Sequence, residues 1–200
     1  MSKRLLDIVL SAAGLILLSP LWLAIAAAIK AGDGGPVLFR QPRVGRDGRP
    51  FVAYKFRSMV PDAARLPPRQ ATADDPRVTP VGRLLRATAL DELPQLVNIL
   101  RGDMSVVGPR PLMPGEIEVR GTGEVTALAE VPGYAARHQV RPGLTGLSQV
   151  YAPRDALRAR KFRLDALYVR RQTLCFDLYL ILMSFWITAR GRWETRERKF

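Results

Sequence analysis

The chain has 200 residues, 48% of them hydrophobic and 24% charged, a balance that suits one folded domain and excludes the disordered class. With 31 Lys and Arg against 18 Asp and Glu it carries a formal net charge of +13, so its surface prefers polyanions: nucleic acid, anionic lipid headgroups or phosphorylated substrates. The single cysteine, Cys175, rules out an intrachain disulfide framework and a thiolate cluster, and the single histidine, His138, leaves a zinc site short of nitrogen ligands and reads as a partly exposed loop residue. Chemistry here falls to carboxylates, arginines and a hard cation, which is the apparatus of phosphate handling.

From Ile8 to Ile29 no residue is charged, and as one helix the stretch would reach about 30 Å, the depth of a bilayer core. Its length and the lack of a clean small-residue cleavage site argue against a signal peptide, despite Lys3 and Arg4 at its start. Ser19-Pro20 falls mid-run, where proline removes a donor and clashes with the preceding turn, so the helix should bend. Two arms of about a dozen residues, ~18 Å each, are deep enough for one leaflet and not for two. Lys3 and Arg4 precede the run while Lys30, Arg40 and Arg43 follow it, placing both ends on the cytoplasmic side. A re-entrant segment broken at Ser19 and Pro20 and a kinked spanning helix both satisfy these signals. In either, Asp7 is expected at the headgroup level.

After a turn cluster at 31–36, Val37 to Val44 and Phe51 to Ser58 flank Asp47-Gly48 and predict a β-hairpin. Pro61 to Pro80 reads as a loop, or a short helix with a loop. Val81 to Ala89 and Leu93 to Leu100 have helical apolar spacing, and Pro94 places Asp91 and Glu92 at a helix entrance, where the dipole favours anions. Two segments rich in Gly, Pro and Arg, 102–111 and 141–146, have the composition of turns that approach phosphates, although a turn of that composition is usually only a turn. Arg158 to Arg171 spaces Phe162, Leu164, Leu167 and Tyr168 as a basic amphipathic helix. Leu178 to Ala189 is apolar but too short to span, and suits either a membrane interface or a buried core helix. Arg190 to Phe200 reads as a basic tail. The expected organisation is a membrane hairpin over 1–32 and a catalytic domain over 33–200.

These motifs occur in one order: Lys3-Arg4 with Asp7, Ser19-Pro20, Gln41-Pro42-Arg43-Val44-Gly45 and Lys55-Phe56-Arg57-Ser58-Met59 come first. Leu90-Asp91-Glu92-Leu93-Pro94-Gln95-Leu96 with Asn98, Gly108-Pro109-Arg110-Pro111, and Arg141-Pro142-Gly143-Leu144-Thr145-Gly146 with Gln149 follow, and Lys161, Asp165 and Tyr168 close the series. Over nearly the whole chain this resembles the bacterial sugar transferase family, monotopic phosphoglycosyl transferases that begin glycan assembly on polyprenyl phosphate. The resemblance implies an α+β fold, with a re-entrant helix-break-helix hairpin and a small, mainly helical catalytic domain carrying the β-hairpin and interfacial amphipathic helices. It implies a protein of the bacterial inner membrane, monotopic in the lipid bilayer, with the catalytic domain on the cytoplasmic face and in the small catalytic-core form. Its substrates would be a nucleotide-diphosphate sugar, UDP-linked by resemblance, and polyprenyl (undecaprenyl) phosphate. Asp91 would be the nucleophile, Glu92 would help bind Mg²⁺, and Ser19-Pro20 would break the re-entrant helix. Where many relatives carry a Trp and an Asn-Gly-Arg, this chain has Leu147 and Tyr151-Ala152-Pro153-Arg154, so sugar specificity does not carry over.

The expected reaction runs in two steps. Asp91 attacks the β-phosphorus, releasing nucleoside monophosphate, and polyprenyl phosphate then displaces the aspartyl-phosphosugar. Lys55, Arg57, Arg86, Arg110, Arg141 and Thr145 are the candidates for holding phosphates, and nearby positive charge is expected to keep the Asp91 pKa low. One competing scheme is direct attack by the acceptor with Asp91 as base. The alternative of another class is a membrane-tethered protein that binds nucleic acid or anionic lipid without catalysis. No nucleic-acid partner is expected, since no stacking platform or nucleic-acid motif appears. A homodimer is left open.

Overall fold

The structure, a computed structural model, describes residues 2–61, 63, 75–119, 125–153 and 155–190. Most of the predicted 61–80 loop, the Arg154 end of the Tyr151 motif and all of the basic tail past Arg190 lie outside the described residues.

Helix α1 (Lys3–Leu17) starts on Ser2, whose hydroxyl accepts from the Leu5 amide at 3.3 Å, and α2 (Ser19–Asp33) starts immediately after Leu18. Pro20 therefore stands in the first turn of a new helix, where its missing donor costs little, and the two axes bend by 60°. Among the described residues no single helix is long and apolar enough to cross a membrane, whereas this bent pair passes by length and composition together. Ile16, Leu17 and Leu23 flank the break at 72%, 76% and 73% exposure, so the bend is apolar and uncovered. The other ends are tied to the body. Ile25 and Ile29 pack with Phe56 and Leu85, and Arg4 donates to the Ile99 and Leu100 carbonyls at 2.6 and 2.7 Å. The Asp7 side chain is enclosed by protein, accepting from the Ser105 hydroxyl and the Val106 amide, each at 2.9 Å.

The predicted hairpin forms as β1 (Leu38–Val44) and β2 (Pro50–Phe56), antiparallel with Leu38 opposite Phe56. Its turn needs left-handed backbone at Asp47 (φ 55°) and Gly48 (φ 75°), which Asp and Gly tolerate. Both predicted helices follow. In α3 (Pro80–Ala87), Thr79 caps Gly82 at 2.9 Å, and α4 (Gln95–Arg101) ends on Gly102 at φ 97°.

The two Gly-Pro-Arg segments pair with each other. Within them β3 (Ser105–Val107) and β6 (Gly143–Thr145) run parallel, Ser105 opposite Gly143, with the Gly108 amide donating to Thr145 at 2.8 Å and the Gly143 amide to Pro109 at 2.9 Å. Their glycines are set by backbone crowding: a Cβ on Gly143 would fall on the Gly108 amide nitrogen and 2.6 Å from its Cα, and one on Gly108 would collide with the Arg141 carbonyl. The glycines of both segments are thus accounted for by two stretches of backbone passing in contact.

Antiparallel β4 (Ile117–Val119) and β5 (Val125–Ala127) and the short helices α5 (Tyr134–Arg137) and α6 (Leu147–Tyr151) lead into α7 (Arg158–Arg171) and α8 (Leu174–Ala189). The basic amphipathic helix is confirmed as α7, burying Phe162, Asp165 and Tyr168. Helix α8 sends Leu180 and Ile187 into the core, as a core helix would, while Leu182 and Phe185 stay 68% and 70% exposed. Lys3 pairs with buried Asp177 at 2.7 Å, and the Tyr168 hydroxyl donates to the same carboxylate at 2.6 Å, tying α1 to the α7–α8 junction. His138, expected in a partly exposed loop, is buried at the end of α5 with Nδ1 2.8 Å from the Tyr134 carbonyl.

Candidate active site

Ala89 takes a left-handed turn (φ 56°) that redirects the chain out of α3, so that Leu90–Glu92 form one 3-10 turn just before α4. Leu90 and Leu93 pack into the core beside Phe56 and Leu85, which leaves Glu92 in the wall of a cleft, with Asp91 next to it in the chain. The expected helix entrance is therefore a separate turn, with Pro94 capping α4 behind it. On β2, Ala53 and Lys55 share a face because strand side chains alternate, and both line the cleft with Arg43, Glu92, Gln95, Arg110 and Pro111. Arg110 arrives from the stretch after β3. Its backbone is held by buried Arg137, which donates one arm to the Arg110 carbonyl and another to Asp165 at 2.9 Å.

Glu92 is the centre of the charge cluster. Its Oε1 takes Lys55 Nζ and Arg110 Nη2, each at 2.8 Å, and Oε2 takes Arg110 Nη1 at 3.4 Å. Burial opposes ionisation of Glu92, but Arg110 and Lys55 more than offset it and hold the carboxyl well below the usual range. Asp91 is half-buried and carries no hydrogen bond or ion pair among the described residues. Burial first, then the Glu92 charge, pushes its pKa up to about 6, against the pull of Lys55, Arg110 and Arg86. The sequence-based expectation of a low value is overturned, because burial and then the adjacent Glu92 charge outweigh the pull of the cations. The pair is divided into one clamped, ionised carboxylate and one unclamped carboxyl that titrates near neutrality, a division of the kind found where two acids have different tasks.

No three His, Cys, Asp or Glu side chains converge on a metal position among the described residues. The oxygen donors of Asp91 and Glu92 suit a magnesium ion shared with substrate phosphates, which needs one or two carboxylates, and do not suit a cage made by protein alone.

The sequence profile of the bacterial sugar transferase family matches residues 1–191. The chain belongs to this family. Among its relatives are the UDP-glucose:undecaprenyl-phosphate glucose-1-phosphate transferases of Klebsiella pneumoniae and Escherichia coli (strain K12), 46% and 43% identical over 187 residues, 91% of this chain and 39% of each relative. The chain thus spans about two-fifths of the length of these two. Exopolysaccharide production protein ExoY of Rhizobium meliloti (strain 1021) is 39% identical over 199 residues, covering 92% of this chain and 84% of the relative.

Of the residues that the resemblance to sugar transferases singled out, the structure brings Asp91, Glu92, Lys55 and Arg110 together, with Arg86 within electrostatic reach of Asp91. It directs three others elsewhere. Arg57 forks onto Asp33 and donates to the Pro36 carbonyl at 2.6 Å, joining β2 to the end of α2. Arg141 donates to the Gly102 carbonyl at 2.8 Å, and the Thr145 hydroxyl bonds Ser184 of α8. Two cleft residues were missed. Gln95, 2% exposed at the start of α4, and Arg43 both lie in the motifs of the resemblance, which gave neither a role in the site. The hairpin register held the signal for Arg43: closing the strands about Asp47-Gly48 puts it opposite Phe51, on the same face as Ala53 and Lys55.

Proposed function

We propose that this chain transfers a sugar 1-phosphate from a nucleotide-diphosphate sugar to polyprenyl phosphate at a membrane surface, by way of a phosphorylated Asp91. The observation that carries the reading is the division between Asp91, unclamped and able to lose its proton near neutrality, and Glu92, held by Lys55 and Arg110 at 2.8 Å. A carboxylate oxygen of Asp91 forms a bond to the β-phosphorus, and the bond from that phosphorus to the bridging oxygen breaks. The nucleoside monophosphate departs with the electron pair. An oxygen of polyprenyl phosphate then attacks the same phosphorus and releases Asp91, giving polyprenyl diphosphosugar. Like charges meet in both steps, and Lys55 and Arg110 lie where they can offset that repulsion. Glu92, with Asp91 beside it, would hold Mg²⁺ shared with the diphosphate, and the ion would supply further neutralisation of phosphate charge. The names of the relatives supply the donor and acceptor to test first, UDP-glucose and undecaprenyl phosphate. A relative from Aeromonas hydrophila, 40% identical, is named for UDP-N-acetylgalactosamine, so a panel of UDP sugars belongs in the assay.

The first half-reaction separates this scheme from direct attack. Protein given donor and Mg²⁺ without acceptor is expected to release one equivalent of nucleoside monophosphate and to gain the mass of one phosphosugar on the peptide containing Asp91, after a rapid mildly acidic quench. Adding polyprenyl phosphate should discharge it. The burst rate should fall as pH drops through about 6, because protonation removes the attacking lone pair. Rapid turnover with both substrates, but neither burst nor adduct with donor alone, would replace the covalent scheme by direct attack.

The bent α1–α2 pair fits a re-entrant hairpin with both ends on the cytoplasmic face of a bacterial inner membrane. Its support is the exposed apolar bend at Ile16, Leu17 and Leu23, opposite ends bearing Lys3, Arg4 and Lys30. In a Cys175→Ser background, since Cys175 is exposed, Ser2→Cys and Gly32→Cys should both react with an impermeant thiol reagent added from the cytoplasmic side. Labelling of Ser2→Cys from the other side alone would make the pair a spanning segment.

A further inference from the structure

We propose that Arg43 is a substrate-binding residue of this site, seating a phosphate group beside Lys55 and Arg110. The inference rests on the transfer reaction above and adds to it a residue that the motifs contain but to which they gave no binding role. Arg43, Lys55 and Arg110 line one cleft together with Glu92, and Lys55 and Arg110 both take their ion pairs from that glutamate. Neighbouring Arg158 is held by Glu116 at 2.5 Å. Arg43 pairs with no carboxylate among the described residues. It donates Nη1 to the Pro111 carbonyl at 2.9 Å and Nη2 to the Gln41 side-chain oxygen, both neutral acceptors, and its Nε–H is buried without a partner. Burial and then the Arg110 charge pull its pKa down to about 10.

An enclosed guanidinium with an orphan donor, facing a second guanidinium, destabilises the empty site. A phosphate relieves both defects, since its oxygens accept from the guanidinium in pairs and its charge cancels the repulsion with Arg110. The cleft therefore holds more cationic capacity than Glu92 consumes, as a site must if two phosphorylated substrates are to visit it in turn.

The phosphate could be that of the donor or that of the acceptor, and two probes separate them. The protein in detergent is titrated calorimetrically with UDP and, separately, with farnesyl phosphate, as wild type, Arg43→Gln and Arg43→Lys, with the ligand-free melting temperature and transfer activity measured on each. Arg43→Gln is expected to weaken at least one probe by about 10- to 100-fold, the loss typical of a charged hydrogen-bond pair. Arg43→Lys, which keeps the charge without the fork, should weaken it by about 3- to 10-fold, and both should melt near the wild-type temperature. A loss confined to UDP assigns the donor diphosphate, one confined to farnesyl phosphate assigns the acceptor, and a loss of both assigns a shared seat. Binding within twofold of wild type for both probes in both variants overturns the inference and, if transfer also persists, leaves the transfer reading intact. Loss of binding that tracks a lowered melting temperature in both variants also overturns it, making Arg43 a strut between β1 and Pro111. Weakened binding by the variants of a wild type that transfers nothing upholds Arg43 and sinks the reaction, and a wild type that binds neither probe sinks both.

Discussion

Asp91→Asn is expected to lower turnover by at least about 1,000-fold while leaving the protein folded, because the replacement is nearly isosteric and removes the negative charge that makes the carboxylate oxygen a nucleophile. Its effect on stability should run the opposite way. The pKa of Asp91 is raised from 3.8 to about 6 in the folded state, so the native protein binds this proton more tightly than the unfolded chain does. The stability so gained is fully present below about pH 4 and is lost as pH rises through about 6, above which the ionised carboxylate is a liability beside Glu92. Asparagine has no charge to bury. The variant should therefore match the wild type near pH 4 and exceed it by on the order of 1–2 kcal/mol at pH 7–8, measured by denaturant unfolding in detergent. Unimpaired turnover in a preparation free of contaminating enzyme would remove Asp91 from the chemistry. Equal stability at both pH values would show that the carboxyl is not under the strain described.

Gly143→Val should cost the fold rather than the substrate. A side chain there meets backbone on both sides, the Gly108 amide and the Thr145 carbonyl, and neither can move without parting β3 from β6. The expected loss exceeds about 3 kcal/mol, at the upper end for overpacking, and should appear as aggregation or a collapsed melting transition. Gly32→Ala is the control, since a Cβ on that helical glycine meets nothing within 4 Å and should be neutral or slightly stabilising. A Gly143→Val protein that melts normally but needs far more donor would return the 141–146 segment to a phosphate-binding role.

The sequence by itself determined those features whose causes act within a few residues. Pro20 could not continue α1, Asp47-Gly48 could close a hairpin, and the apolar spacing over 81–89 and 93–100 marked two helices, each found near its expected place. The family motifs added the identity of the carboxylate pair, which no periodicity could supply. What only the tertiary structure decided is which distant groups meet. Ser105 pairs with Gly143, Lys55 and Arg110 converge on Glu92, Arg57 is diverted to Asp33, and Asp7 meets the Ser105 hydroxyl. An arginine in a motif has the same local signature whether it will face a phosphate, a carboxylate or a carbonyl. The choice is made by packing between elements far apart in the chain, and so is the pKa of Asp91, which depends on the ion pairs its neighbour makes.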